Sequence, residues 1–143
     1  MIKIRTANSF DKKDVLQVYR ATVGPEFTLD DEYCDRLLQT GCVVVAELEG
    51  RILGFGGIDV DAVEQLTWLY LLPKDQRTGI GSQILTHLEQ IARKASLASI
   101  RLHSARDAVG FYLRHGYTVV PDEERIGHDH VGVDMIKLLQ HDV

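Results

Sequence analysis

The stretch QRTGIGSQIL, residues 76–85, separates an apolar run that reads as a strand, WLYLLP at 68–73, from an apolar run with helical spacing. Two glycines, Gly79 and Gly81, fall at that junction. The first N–H groups of a helix have no intrahelical acceptor and carry the positive end of its dipole. A helix start bare of side chains therefore lets an anion approach them. Gln76, Arg77 and Thr78 add donors and one cation beside the same spot, a set that suits a pyrophosphate better than a lone carboxylate. A plain tight turn needing glycine for positive φ is the competing explanation. Two phosphate loops are excluded by spacing. A Walker loop needs Gly-Lys followed by Ser or Thr, whereas Ser82 follows Gly81 directly; a dinucleotide fingerprint needs a third small residue where Ile84 stands.

Outward from this loop, the pattern resolves into an ordered series of elements. IKIRTA at 2–7 reads as a strand, after which Asn8 or Ser9 can cap a helix whose Val15, Leu16, Tyr19 and Val23 form one apolar face. Gly24 and Pro25 end it. Thr28 and Asp31 have capping-box spacing and open a second helix, with Tyr33, Leu37 and Leu38 inward and Gly41 as its stop. CVVVAEL and RILGFGGIDV then read as a hairpin turning at Glu49 and Gly50, followed by a strand at 64–72. The longest helix follows the glycines, with Ile84, Leu85, Leu88, Ile91 and Ala92 at helical spacing. SIRLHS at 99–104 is a strand, ARDAVGFYLRHG at 105–116 a short helix closed by Gly116, and YTVVP and VGVDMIKLL two last strands. The order βααβββαβαββ predicts an α/β fold: one domain over residues 1–143, with a mixed, mostly antiparallel sheet and helices on both faces.

Composition agrees. With 143 residues, 45% hydrophobic and 26% charged, the chain is long enough for a core and ordinary for a globular protein. A net charge of −5 argues against a general nucleic-acid binder, which needs a basic face. No apolar run is long enough to span a bilayer and no leader-like segment opens the sequence, so the expected address is cytoplasmic, without a membrane partner. Cys34 and Cys42 then read as reduced thiols rather than a disulfide or a reactive site. His128 and His130 flank Asp129 in GHDHVGVD, but no third ligand stands at recognisable spacing, so the segment reads as a solvated turn and no metal site is expected.

The pattern of Gln76, Gly79 and Gly81 after a strand resembles the acyl-CoA pyrophosphate loop of the GCN5-related N-acetyltransferases, the GNAT family. AVGFYLRHGY at 108–117 is similar to that family's later signature, and the element order is the family's order, so the resemblance covers nearly the whole chain. It implies acetyl-CoA as cofactor, CoA as product, and acetyl transfer to an amine in a ternary complex. Carried over by position, Leu71 and Leu72 would offer main-chain groups to the pantetheine arm and thioester carbonyl. Arg77, Thr78, Gly79, Ile80, Gly81 and Ser82 would wrap the pyrophosphate by their N–H groups. Tyr112 matches the family's tyrosine near the thioester sulfur; its alternative role is that of a core aromatic. Many family members carry an asparagine where this chain has Ala105, which puts any contact inherited from it in doubt; the neighbouring Ser104 can supply a hydroxyl instead.

Attack of a neutral amine on a thioester creates an oxyanion and expels a thiolate, so the site needs a donor for the carbonyl oxygen, a proton source for sulfur and a base for the amine. A main-chain N–H near Leu71 answers the first need and Tyr112 the second. Two base candidates stay open, Glu64 at the start of the strand before the loop and His103 at the end of SIRLHS. Counting back by twos from Leu71 puts Gln65, not Glu64, on the Leu71 face, which weakens Glu64. Trp68, Tyr19, Phe27 and Tyr33 could line an acceptor pocket, and the acidic segment GPEFTLDDEYCD hints at a cationic acceptor. Three readings follow: an acetyltransferase for a small-molecule amine, one for a peptide or protein amine, and a non-catalytic acyl-CoA sensor. A proton donor at sulfur favours an enzyme. A homodimer is compatible with all three.

Overall fold

The computed structural model describes residues 2–23, 30–61, 66–72, 78–121 and 132–139. Its strands, β1 (Lys3–Thr6), β2 (Val43–Leu48), β3 (Arg51–Ile58), β4 (Leu66–Leu71), β5 (Ser99–Ser104), β6 (Thr118–Val119) and β7 (Val133–Leu138), form one sheet in the order β1-β2-β3-β4-β5-β7-β6. Four helices accompany it: α1 (Lys12–Val23), α2 (Asp31–Thr40), α3 (Ile80–Lys94) and α4 (Val109–Arg114). Element order and mixed pairing are those expected. Among the described strands every pairing is antiparallel except β4 with β5.

Both faces of the sheet are covered, which is why VVVA at 43–46 is apolar throughout rather than alternating. Val43, Val45, Ile52 and Phe55 pack with Val15, Val18, Leu37 and Leu38 of α1 and α2. Val44, Ala46 and Leu53 point the other way, onto Ile84, Leu85, Leu88 and Ala92 of α3, with Ile100, Leu102 and Met135 on the same face. The chain turns between β2 and β3 at Glu49 and Gly50, with φ of 50° and 79°, the two positive values that a two-residue hairpin turn requires.

Element edges depart from the pattern reading in three places. Asn8 caps a short 3-10 turn, Ser9–Asp11, that leads into α1; Asp11 closes the capping box and is held by Arg5 through two contacts of 2.8 Å. The cap of α2 is Asp30, whose carboxylate accepts from Tyr33 N–H at 2.8 Å, rather than Thr28, which lies outside the described residues with Gly24, Pro25 and Phe27. ARDAVGFYLRHG begins as a 3-10 turn over Arg106–Ala108, and YTVVP keeps only Thr118 and Val119 as strand. Gly41 and Gly116 end their helices as read, with φ of 76° and 89°.

Candidate functional site

The sheet opens where β4 and β5 part. These parallel strands pair through Leu66↔Arg101 and Thr67↔Leu102, and the pairing stops there, while β4 continues along β3 as far as Leu71↔Gly54. Leu72 N–H donates to Leu53 O at 3.1 Å. In an antiparallel ladder the peptide groups of adjacent residues point to opposite sides, so those of Leu71 turn away from β3 toward the gap. Gly54 makes this closeness possible: a Cβ there would lie 2.8 Å from Tyr70 O. Of the two leucines expected to offer main-chain groups, Leu71 is aimed at the gap, and the N–H of Leu72 is held by β3.

Beyond β4 the chain passes into α3 through Gly79, with φ 87°, a left-handed conformation that glycine adopts without strain. No side chain caps this helix and its first turn holds no acidic residue. The first intrahelical bond is Gln83 N–H to Gly79 O at 3.2 Å, so the N–H groups of Ile80, Gly81 and Ser82 precede the helical ladder. Among the described residues nothing stands within 4 Å of a Cβ placed on Gly79. Gly81 has a different reason to be glycine. Its Cβ would fall 3.3 Å from both Leu71 Cδ1 and Phe111 Cζ, so the bare position lets β4 and α4 close on the start of the helix. Thr78 is exposed next to Gly79; Gln76 and Arg77 lie outside the described residues.

Tyr112 is 8% exposed on α4, in the core cluster that holds Ile80 and packs against Leu71, with its ring edge-on to Tyr117 at 5.7 Å. Burial, with a smaller contribution from Tyr70, pushes its phenol up to about 12. The ring is part of the core, and its hydroxyl stays protonated throughout the neutral range. Ser104, 2% exposed, donates to Ala105 O at 2.7 Å. Its hydroxyl hydrogen is occupied by that local contact.

His103 lies on the opposite face of the sheet from Leu102 and Ser104, by strand alternation. Its Nδ1 is 2.7 Å from Oδ1 of Asp134, the residue directly across on β7, and Asp134 is 7% exposed. A carboxylate only accepts, so Nδ1 carries a hydrogen. Gly132 packs so closely that a Cβ would collide with Nε2. Glu64 and Gln65 lie outside the described residues, as do His128, Asp129 and His130.

On that face, between α1, α2 and the sheet, is a small cavity lined by apolar atoms of Tyr19, Tyr33, Leu37, Phe55, Gly57 and Tyr70. Tyr19 and Tyr33, two of the four aromatics named for an acceptor pocket, both line this cavity. Tyr70 precedes Leu71 in the chain, which places the cavity beside the gap. The acidic segment is partly neutralised: Lys12 Nζ is 2.8 Å from both Asp31 and Asp35. Cys34 and Cys42 are buried free thiols, and burial pushes the Cys34 thiol up, which makes it a poor nucleophile. Among the described residues no helix is long and apolar enough to cross a membrane.

The pattern reading missed two partners. Asp134 supports His103, and His115 bridges α4 to the loop, with Nδ1 2.9 Å from Phe111 O and Nε2 2.9 Å from Ser82 Oγ.

Residues 7–139 match the family model described as "Acetyltransferase (GNAT) domain". No curated protein matches the chain significantly in sequence. Among solved structures the chain is similar to the PaiA N-acetyltransferase of Thermoplasma acidophilum in complex with coenzyme A, at 19% identity over 97% of this chain and 99% of that one, TM-score 0.71. It is similar also to YncA of Salmonella typhimurium with acetyl-CoA, at 18% identity over 100% and 96%, TM-score 0.76. The N-acetylglutamate synthase of Neisseria gonorrhoeae, complexed with coenzyme A and N-acetyl-glutamate, matches at 16% identity and TM-score 0.79 over 99% of this chain and 36% of its own.

Proposed function

Because the chain belongs to the acetyltransferase (GNAT) domain family, we propose that it transfers the acetyl group of acetyl-CoA to the primary amine of a small molecule, by direct attack in a ternary complex. The observation that carries this reading is the parting of β4 and β5 at Thr67, which leads to the uncapped start of α3. Gln76, Arg77 and Thr78, with the N–H groups of Gly79, Ile80, Gly81 and Ser82, hold the pyrophosphate. The bound cofactor supplies an activated thioester. A main-chain N–H near Leu71 donates to the thioester carbonyl oxygen, an interaction worth about 3 kcal/mol in the transition state when well placed.

Tyr112 acts at the sulfur. A phenol near 12 is a weaker acid than a thiol of about 8.5. It hydrogen-bonds to the sulfur first and yields its proton only as charge builds there. His103, on the opposite face of the sheet, is the base, with Asp134 holding its Nδ1–H. The acceptor amine approaches from the side of the small apolar cavity beside Tyr70. The reading includes a single domain over residues 1–143 and a cytoplasmic address, which suits two free thiols.

Tyr112→Phe tests the reading, since it keeps the ring and removes one proton. With a panel of small amines, kcat should fall about 10²–10⁴-fold while acetyl-CoA affinity changes little. The loss should shrink with an acyl donor whose thiol is more acidic. An unaltered kcat where chemistry limits the rate would return Tyr112 to the core alone. Turnover of peptides but of no small amine would move the acceptor assignment.

A further inference from the structure

Three polar groupings take no part in the site as described. Glu89 on α3 accepts from Tyr117 at 3.1 Å and Lys137 at 3.0 Å, and Asp59 accepts from Tyr33 at 2.9 Å and Arg36 at 3.1 Å; both are closed on their own partners. The third, His115, is attached to the loop itself. We propose that His115 is a positioning residue for the phosphates of acetyl-CoA: acting through Ser82, it makes phosphate binding take up a proton on its own ring. The inference rests on the reading of the α3 N-terminus as the phosphate site.

Hydrogen-bond polarity decides where the proton must go. The Phe111 carbonyl has only lone pairs, so Nδ1, 2.9 Å away, must be the donor whatever the ring's charge. Nε2 faces Ser82 Oγ at 2.9 Å. In the neutral ring Nε2 has no hydrogen, and the Ser82 hydroxyl donates to it. A phosphate oxygen arriving at the first turn of α3 also requires a hydrogen. If the hydroxyl turned to the phosphate with the ring still neutral, two lone pairs would be left facing each other. A proton on Nε2 removes the conflict: the imidazolium donates to Ser82, and Ser82 donates to the phosphate. The relay places a positive charge one hydroxyl from the anion.

The surroundings leave this charge to the ligand. The ring is half-buried and stacked on Phe111, centroids 4.5 Å apart and planes at 28°. The charged groups of the elements packed around it are Arg114 on α4, which is exposed, Glu89 on α3 and Lys137 on β7, which runs alongside Gly116. Glu89 and Lys137 neutralise each other at 3.0 Å. Among the described residues no carboxylate is hydrogen-bonded to the His115 ring; in the proposal, an arriving phosphate is the anion that compensates it.

The test is titration calorimetry of the whole chain with dephospho-coenzyme A, which keeps the pyrophosphate and lacks the separately titrating 3′-phosphate. At about pH 7.5, where an ordinary imidazole is mostly neutral, the dependence of the heat on buffer ionisation enthalpy should show uptake approaching one proton. Affinity should fall by up to about tenfold per pH unit as pH rises further. His115→Gln, whose amide can reach Ser82 without a proton, should keep affinity within about threefold and lose the uptake. Ser82→Ala should lose the uptake through removal of the relay, and it stands in if the glutamine variant does not fold. No uptake by the parent, or equal uptake in parent and variants, would overturn the proposal and leave the loop reading intact. A folded parent that does not bind the probe would overturn both.

Discussion

The N-termini of α2 and α3 are built in opposite ways. Asp30 approaches α2 with ψ 128° and folds its carboxylate back onto Tyr33 N–H, so the helix satisfies its own first turn. Gly79 leads into α3 from the left-handed region, brings no acceptor, and among the described residues leaves open space where a side chain would stand. The turn ahead of α1 sides with α2, since Asn8 and Asp11 cap each other. α4 and the 3-10 turn ahead of it also begin without a side-chain cap, so a bare start alone does not single out α3; what sets α3 apart is that its bare start coincides with the left-handed Gly79 and the parting of β4 from β5. The two glycines there do separate work: Gly79 supplies the conformation and the room, and Gly81 lets Leu71 and Phe111 meet the helix.

Giving α3 the kind of cap that α2 has should produce the largest change. Gly79→Asp puts a self-capping carboxylate where the phosphates bind, and aspartate tolerates positive φ better than most residues. Coenzyme A affinity should fall by more than about a hundredfold by calorimetry, through competition and like-charge repulsion, while the helix survives by circular dichroism. Binding within a few-fold of the parent would mean that the bare helix start is not the anion site. Gly81→Val should act next most strongly. Overpacking against Leu71 and Phe111 should destabilise the fold by about 1–3 kcal/mol in denaturant titrations and weaken coenzyme A about tenfold. Lost affinity in an equally stable protein would show that the Gly81 side of the helix faces ligand, not Leu71 and Phe111.

That contrast also marks how far the sequence can be read. Periodicity and turn chemistry locate α3, the hairpin at Glu49 and Gly50, and the bare junction at Gly79, because each depends on residues close together in the chain. Gly81 reads as leaving room for an anion; what surrounds it is Leu71 and Phe111, brought in by β4 and α4. Asp134 faces His103 only because β7 inserts between β5 and β6, a pairing that no local pattern encodes. His115 lies inside the resembling stretch AVGFYLRHGY, yet its partner Ser82 is 33 residues away. The short 3-10 turns at Ser9–Asp11 and Arg106–Ala108 escape a pattern reading because their spacing differs little from the first turn of an α-helix.

A smaller effect separates the start of α1 by pH. The Arg5 guanidinium, and then the Asn8 N–H, hold the Asp11 carboxyl below the usual aspartate range. A carboxyl depressed in the folded state contributes stability above its unfolded pKa, about 3.9, and loses it as pH falls through the lower folded value. The melting temperature should therefore drop below about pH 4, and the acid-side slope should flatten in Asp11→Asn, which lacks the titrating group. An unchanged slope in that variant would assign the acid loss to other carboxyls.

Asp30→Ala should give the smallest effect and serves as the control for the contrast between α2 and α3. It removes the acceptor from Tyr33 N–H and leaves α2 with an uncapped first turn, the condition of α3 without ligand. Loss of an aspartate cap costs about 1 kcal/mol, which for a chain of this size is a few degrees in Tm. Asp30→Asn keeps a side-chain oxygen in place and should recover most of that loss, which distinguishes the hydrogen bond from the charge. Coenzyme A affinity should not move in either variant, because α2 packs with Val43 and Val45 on one face of the sheet and α3 with Val44 and Ala46 on the other. A shift in coenzyme A affinity on removing Asp30 would mean that the two helix N-termini communicate through the sheet, and the division between a helix that caps itself and one that waits for its ligand would then have to be redrawn.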